Sequence, residues 1–184
     1  MKIIDTPLPG LIIIEPDVFN DPRGYFYESY HLKKYQEIGI EVPFVQDNES
    51  KSVRGVVRGL HYQLNPVAQA KLVRVVQGVV YDVALDLRKG SPTFGQWFGL
   101  EIGENDKKQL YIPRGFAHGF SVLSETAIFS YKCDNGYSRE NERAINAFDP
   151  KLAIDWQLNE SEWKVSEKDK IAPWFDEAEM NFIF

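Results

Sequence analysis

The sequence has little cysteine and little histidine: one cysteine, Cys133, and three histidines in 184 residues. A single cysteine excludes an intramolecular disulfide, so a reducing compartment, the cytoplasm, is the expected location. No apolar run reaches the roughly 18–20 residues that a membrane-spanning helix requires, so no membrane association of that kind is expected. Internal repeats, low-complexity tracts and Gly/Ser linkers are also missing, which predicts one domain over residues 1–184.

The charge balance is acidic, with a formal net charge of −6. An acidic chain is not expected to bind nucleic acid nonspecifically, because the phosphate backbone would be repelled. Binding of a small anionic ligand stays compatible with this charge, since the local arrangement of cations decides it.

Short β-rich runs separated by turn residues occupy most of the chain. In residues 79–88, large apolar side chains alternate with smaller or charged ones, which is typical of a half-buried strand. Many such strands predict an all-β fold, an antiparallel sandwich or barrel of the jelly-roll type. We expect the β core at about residues 10–150, with a short helix from Leu32 that stops near Gly39. Residues 151–184 are expected to form a tail of short helices packed on this core.

His61 and Arg58 lie close together in the predicted strand 56–63. A neutral imidazole can abstract a proton near pH 7, although the composition alone favours a structural histidine satisfied by a neighbour. Strict strand alternation places Arg58 and His61 on opposite faces. Both can reach one pocket only if the strand is bulged or twisted, and Gly59 is the expected place.

Three other residues each have a chemical and a structural interpretation. Tyr131 could donate a proton opposite the base, or form a wall of the core. Asp169 could fix the tautomer of a histidine, but Ser166 three residues earlier indicates a helix N-terminus, and the sequence alone favours that cap. Tyr137 could stack on a nucleobase or pack on the tail.

The cations and the histidine spacing bear on the chemistry of the ligand. Lys71 and Arg58 could neutralise an enolate or a phosphate, and Arg23 a phosphate, or each could be a solvated surface cation. His61 belongs to no His-x-His pair, and His31 lies in the early helical segment. A metal site is therefore not expected.

Nine short motifs occur in order over residues 5–170, and the ordered set is far more specific than any one of them. They are DPRGYFYE (21–28), QDN (46–48), GVVRGLHYQ (55–63), KLVRV (71–75), DVALDLR (82–88), SPTFG (91–95), PRGFAHGF (113–120), YKC (131–133) and SEKD (166–169). In this set the chain resembles the dTDP-4-dehydrorhamnose 3,5-epimerase family of the cupin superfamily.

The resemblance implies a cupin-type jelly roll and an isomerase that needs no cofactor and no metal. The implied reaction is epimerisation of dTDP-4-dehydro-6-deoxy-D-glucose at C3 and C5, giving dTDP-4-dehydro-L-rhamnose. His61 would be the base, Tyr131 the acid, Asp169 the partner of His61, and Lys71 a stabiliser of the enolate. The resemblance also implies a homodimer. The implied substrate-binding residues are Arg23, Phe26, Glu28, Gln46, Asp47, Asn48, Arg58, Lys71, His118, Tyr137, Glu142 and Lys168.

Three other functions fit parts of this pattern. A related epimerase could invert only one carbon of a dTDP-4-keto-deoxysugar. A nucleotide-sugar binding module could share the fold without turnover, but the proton-transfer residues argue against it. A metal-dependent cupin oxygenase or isomerase is disfavoured because the histidine ligand pair is missing.

Overall fold

Two antiparallel sheets and a separate hairpin make up the computed structural model, which describes residues 1–184. The first sheet has the order β1-β2-β10-β7-β12-β5, the second β13-β6-β11-β8-β9, and β3 pairs only with β4. The predicted all-β fold of antiparallel sheets is confirmed. The strands are β1 (Lys2–Asp5), β2 (Ile12–Glu15), β3 (Val18–Asp21), β4 (Gly24–Tyr27), β5 (Gln46–Val53), β6 (Val57–Gln63), β7 (Lys71–Gln77), β8 (Val79–Asp86), β9 (Trp97–Gly103), β10 (Gln109–Ile112), β11 (Phe116–Val122), β12 (Thr126–Cys133) and β13 (Glu142–Ala144).

The core lies between the two sheets and follows the strand alternation. Val73 and Val75 of β7 and Phe129 of β12 face Val80 of β8 and Phe120 of β11. The Phe120 and Phe129 rings stack with centroids 4.3 Å apart. Because side chains on a strand alternate between faces, the residues between these positions point outward.

The outer face of the second sheet is covered by the C-terminal tail. Trp156, Phe175 and Phe182 are buried there with the outward-facing Leu85 of β8. Burying each of these phenylalanines stabilises the fold by about 1.5–3 kcal/mol. The tail contains short helices: the 3-10 helices Glu160–Glu162 and Phe175–Glu177, and the α-helix α2 (Glu167–Lys170).

The helix α1 (Leu32–Gln36) packs on the outer face of the first sheet, where Tyr35 contacts Ile14 and Leu72. Gly39 follows it with a φ of +90°, a conformation that glycine adopts without strain, as expected for a helix end. No helix combines the length and the apolar character that crossing a membrane requires.

The predicted start of the β core near residue 10 is wrong, because β1 pairs with β2 over Lys2–Asp5. Only Ile3 and Ile4 are apolar in this strand, and two residues are too few to show a period.

Candidate active site

At one end of the molecule, polar side chains replace the apolar core between the sheets and enclose a cavity of about 310 Å³, here called the His61 cavity. His61 comes from β6 of the second sheet, and Tyr131 comes from β12 of the first. Both line this one cavity, so a ligand inside would have the imidazole and the phenol on facing walls. The lining residues are Gln46, Asn48, His61, Tyr62, Gln63, Gln69, Lys71, Tyr131, Cys133, Tyr137 and Glu142.

The strand β6 is bulged at Gly59, as expected. His61 pairs with His118 and Arg58 with Phe120, so three steps on β6 match two on β11. Gly59 has a φ of +120°, and a Cβ there would lie 2.6 Å from the Cα of Gly119, so no other residue fits. Because of the bulge, Arg58 and His61 both line a second cavity of about 380 Å³, here called the Arg58 cavity.

His61 is bonded to the acid that the motifs place far along the chain. Its Nε2 lies 2.7 Å from Oδ1 of Asp169, 108 residues away. Asp169 is buried, whereas about a third of the His61 side chain is exposed (33%), so a ligand can reach the imidazole. The carboxylate therefore holds the ring with one nitrogen facing the cavities.

The helix α2 explains how Asp169 serves two purposes. Ser166 is its N-cap, and Ser166 Oγ accepts the backbone N–H of Asp169 at 3.1 Å. The cap and the histidine partner are therefore compatible, because one uses the backbone and the other the side chain. Burial raises the pKa of Asp169, but hydrogen bonds from His61, Ser166 and the backbone of Gly59 outweigh it, and the pKa lies below its ordinary value.

Lys71 of β7 brings a partly buried cation between the proposed acid and base. Its Nζ lies 5.9 Å from the centre of the Tyr131 ring and 3.5 Å from the backbone oxygen of His61. Burial lowers the pKa of Lys71, while the nearby carboxylates of Asp82 and Glu142 oppose that shift. Burial also raises the pKa of Tyr131, so the phenol holds its proton at neutral pH.

Tyr137 stands at the rim of the His61 cavity and is more than half exposed (58%). Its hydroxyl donates to Glu142 at 3.1 Å, and Glu142 pairs with Lys168 at 2.6 Å. Lys168 and Asp169 are consecutive in α2. This short helix therefore contacts β13 through Lys168 and Glu142, and β6 through Asp169 and His61.

The cavity has the parts of a proton-transfer site: a base fixed by an acid, a phenol on the facing sheet, and a cation beside it. A family model described as dTDP-4-dehydrorhamnose 3,5-epimerase matches residues 5–177 of this chain. The chain belongs to this family.

Individual relatives agree with the family assignment. A dTDP-4-dehydrorhamnose 3,5-epimerase from Pseudomonas aeruginosa is 51% identical over 180 residues, which are 97% of this chain and 98% of that protein. A 3,5-epimerase from Legionella pneumophila, solved in complex with dTDP-4-keto-L-rhamnose, superposes with a TM-score of 0.92 at 51% identity, covering 96% of this chain and 93% of that one. A dTDP-4-dehydrorhamnose 3-epimerase from Streptomyces niveus is 40% identical and covers 85% of this chain and 76% of that protein. The predicted family and isomerase activity are confirmed.

The residues implied by the resemblance to this epimerase family fall into distinct places. Gln46, Asn48, Tyr137 and Glu142 line the His61 cavity together with His61, Lys71 and Tyr131. Arg58 and Lys168 line the Arg58 cavity, on the other side of His61.

Asp47 and His118 lie elsewhere. Asp47 is on the opposite face of β5 from Gln46 and Asn48, where its carboxylate accepts from Lys132 at 2.7 Å. His118 is buried outside both cavities, with its Nε2 2.9 Å from Oδ2 of Asp82. Burial lowers the pKa of His118, although the Asp82 carboxylate opposes the shift.

Arg23, Phe26 and Glu28 lie in or beside the hairpin β3–β4 and line neither cavity. Phe26 is 69% exposed, and Arg23 pairs only with Asp21 of its own hairpin. These three residues therefore do not line the His61 cavity of the chain to which they belong.

The sequence reasoning missed four lining residues: Tyr62, Gln63, Gln69 and Cys133. Gln63 is two positions after His61, and Cys133 two after Tyr131. Because side chains two apart on a strand share a face, the alternation could have identified both. Gln69 lies outside any strand, so no period indicates it.

Proposed function

We propose that this epimerase inverts C3 and C5 of dTDP-4-dehydro-6-deoxy-D-glucose by proton transfer between His61 and Tyr131. The observation that carries the proposal is that the two side chains, from facing sheets, line one cavity, with His61 fixed by Asp169. The C4 ketone acidifies the hydrogens on both neighbouring carbons, so one base and one acid can serve each carbon in turn.

Each inversion is a balanced pair of proton transfers. His61 removes the proton from one face of the carbon, and the electron pair moves into the enolate. The carboxylate of Asp169 stabilises the imidazolium, and the Lys71 ammonium stabilises the enolate oxygen. Tyr131 then protonates the other face, and its phenolate benefits from the same ammonium. Exchange with water restores the proton of Tyr131 and removes that of His61.

The Arg58 cavity is suited to the diphosphate of the substrate. Arg58, Lys164 and Lys168 bring three cationic side chains to it, next to His61. Guanidinium and ammonium groups bind phosphate oxygens through charge-assisted hydrogen bonds. With the diphosphate there, the sugar would reach the His61 cavity and the base could stack on Tyr137.

Turnover in heavy water tests the proposal. We expect deuterium at both C3 and C5 of the product, because each carbon loses its proton to His61 and regains one from a solvent-exchanged Tyr131. The measurement is NMR or mass spectrometry of the product. Deuterium at C3 alone would favour the single-carbon reaction. That reaction is the alternative because the chain is also similar to the 3-epimerase from Streptomyces niveus. Retention of both hydrogens would reject the proposed chemistry.

We propose further that the enzyme works as a homodimer in which each β3–β4 hairpin reaches the His61 cavity of the partner. We also propose that the enzyme is located in the cytoplasm. The hairpin exposes Phe19, Tyr25 and Phe26 and carries Arg23, yet it lies outside its own cavity. Large exposed aromatic side chains next to an arginine are typical of a contact surface. The single free thiol of Cys133 is consistent with a reducing compartment.

Mixing two inactive variants tests the exchanged hairpin. In a heterodimer of Arg23→Ala and His61→Ala, one cavity would have both residues intact and the other neither. Random exchange of subunits should therefore restore about a quarter of the wild-type sites. The measurement is turnover at low substrate concentration after dissociation and reassembly. If Arg23 acted in its own subunit, mixing would restore nothing.

A further inference from the structure

The loop that carries Tyr137 is held by side-chain amides. Residues 135–137 lie between β12 and β13 and make no backbone–backbone hydrogen bond. Instead, Gln69 Nε2 donates to the oxygen of Asn135 at 2.7 Å, and Gln63 Nε2 donates to the oxygen of Gly136 at 3.2 Å. Gln46 Oε1 accepts the N–H of Tyr137 at 2.9 Å.

Gln63 makes the largest number of these contacts. Its Oε1 accepts the N–H of Ser138 at 2.7 Å, and its Nε2 donates a second bond to the oxygen of Val67 at 2.8 Å. The residue is buried (4% exposed), so this amide and its backbone partners have no water to replace a lost bond. The loop is therefore tied to β6, the strand that also carries His61.

We propose that Gln63 is a positioning residue that sets substrate affinity by fixing the loop of Tyr137, together with Gln46 and Gln69. The inference rests on the proposed function, in which Tyr137 contacts the base of the nucleotide. A loop fixed before binding loses less conformational entropy when the ligand arrives, so the amides improve affinity. They act on binding and not on proton transfer, because none of their loop contacts involves the catalytic groups His61, Tyr131 or Lys71.

The test compares Gln63→Leu with the wild type by titration with dTDP and by steady-state kinetics. We expect the Kd for dTDP and the KM to rise about tenfold, which corresponds to about 1.4 kcal/mol, with kcat within about twofold. The amide protons of Tyr137 and Ser138 should exchange faster with deuterium. Binding of dTDP needs no turnover, so its outcome is independent of whether the proposed reaction is correct.

Two further variants keep the test decisive. Gln69→Leu removes one contact of a half-buried amide, so it should raise the Kd for dTDP by about threefold, and it decides the question if Gln63→Leu does not fold. Ser124→Ala is the matched control: Ser124 Oγ accepts from Val79 N at 2.8 Å and donates to Thr126 O at 2.7 Å, away from both cavities. It should lower the Tm and leave the Kd unchanged. An unchanged Kd in the glutamine variants, or a collapse of kcat at unchanged Kd, would overturn the proposal.

Discussion

Replacing His61 with alanine is expected to lower kcat by about 10³-fold or more, while dTDP binds with nearly unchanged affinity. The imidazole is the general base in the proposed reaction, and Asp169 would lose its hydrogen bond to the imidazole. The diphosphate and the nucleobase are expected to contact Arg58, Lys168 and Tyr137, none of which changes. The measurements are turnover of the dTDP-sugar and calorimetric titration with dTDP.

A companion variant separates loss of the base from general damage to the site. Asp169→Asn keeps the shape of the side chain and removes the charge that stabilises the imidazolium, so its kcat should fall between those of the wild type and His61→Ala. Neither variant should exchange substrate hydrogens at the wild-type rate in heavy water. Full turnover by His61→Ala would show that another group is the base, and a chain that bound dTDP but never turned over would be a binding module.

The second large effect is expected for Tyr131→Phe, which removes one hydroxyl. Turnover should fall by about 10²–10⁴-fold, because no acid remains to protonate the second face of the enolate. His61 can still remove a proton, exchange it with solvent and return deuterium to the same face. We therefore expect substrate labelled in heavy water with its original configuration.

This labelling distinguishes the roles of the two residues. His61→Ala should give neither inversion nor exchange, whereas Tyr131→Phe should give exchange without inversion. The measurement is NMR of substrate recovered after prolonged incubation. If Tyr131→Phe also lost exchange, the phenol would be needed for the first proton transfer, and the assignment of acid and base would have to be revised.

The alternation of side chains made much of the fold predictable. At Gly59 it revealed a conflict that only a bulge could resolve. The prediction that β8 is half-buried is wrong: Asp82, Ala84 and Asp86 are also fully buried, because the other sheet covers one face of β8 and the C-terminal tail covers the other. The strand β5 escaped notice because its inward positions, Gln46 and Asn48, face a polar cavity and not the core. A strand without apolar residues on its inner face has no hydrophobic period to detect.

The pairing of His61 with Asp169 lies beyond any local pattern. The two residues are 108 positions apart, and α2 has only four residues, so neither its place nor its orientation follows from periodicity. Only the ordered motifs indicated the pair. The position of the hairpin β3–β4 could not be predicted either. The motif 21–28 indicates that its residues bind substrate, but not which cavity they lie beside.

The proposed base, His61, is paired with a part of the chain that belongs to neither sheet. Asp169 reaches His61 only while the tail lies against the outer face of the second sheet, where Trp156 and Phe175 anchor it. Partial opening that detached this segment would leave the two sheets intact and yet lower the rate of the proposed reaction. The proposed activity therefore depends on the least regular part of the fold. We expect the enzyme to stay active only as long as the tail remains attached to the second sheet.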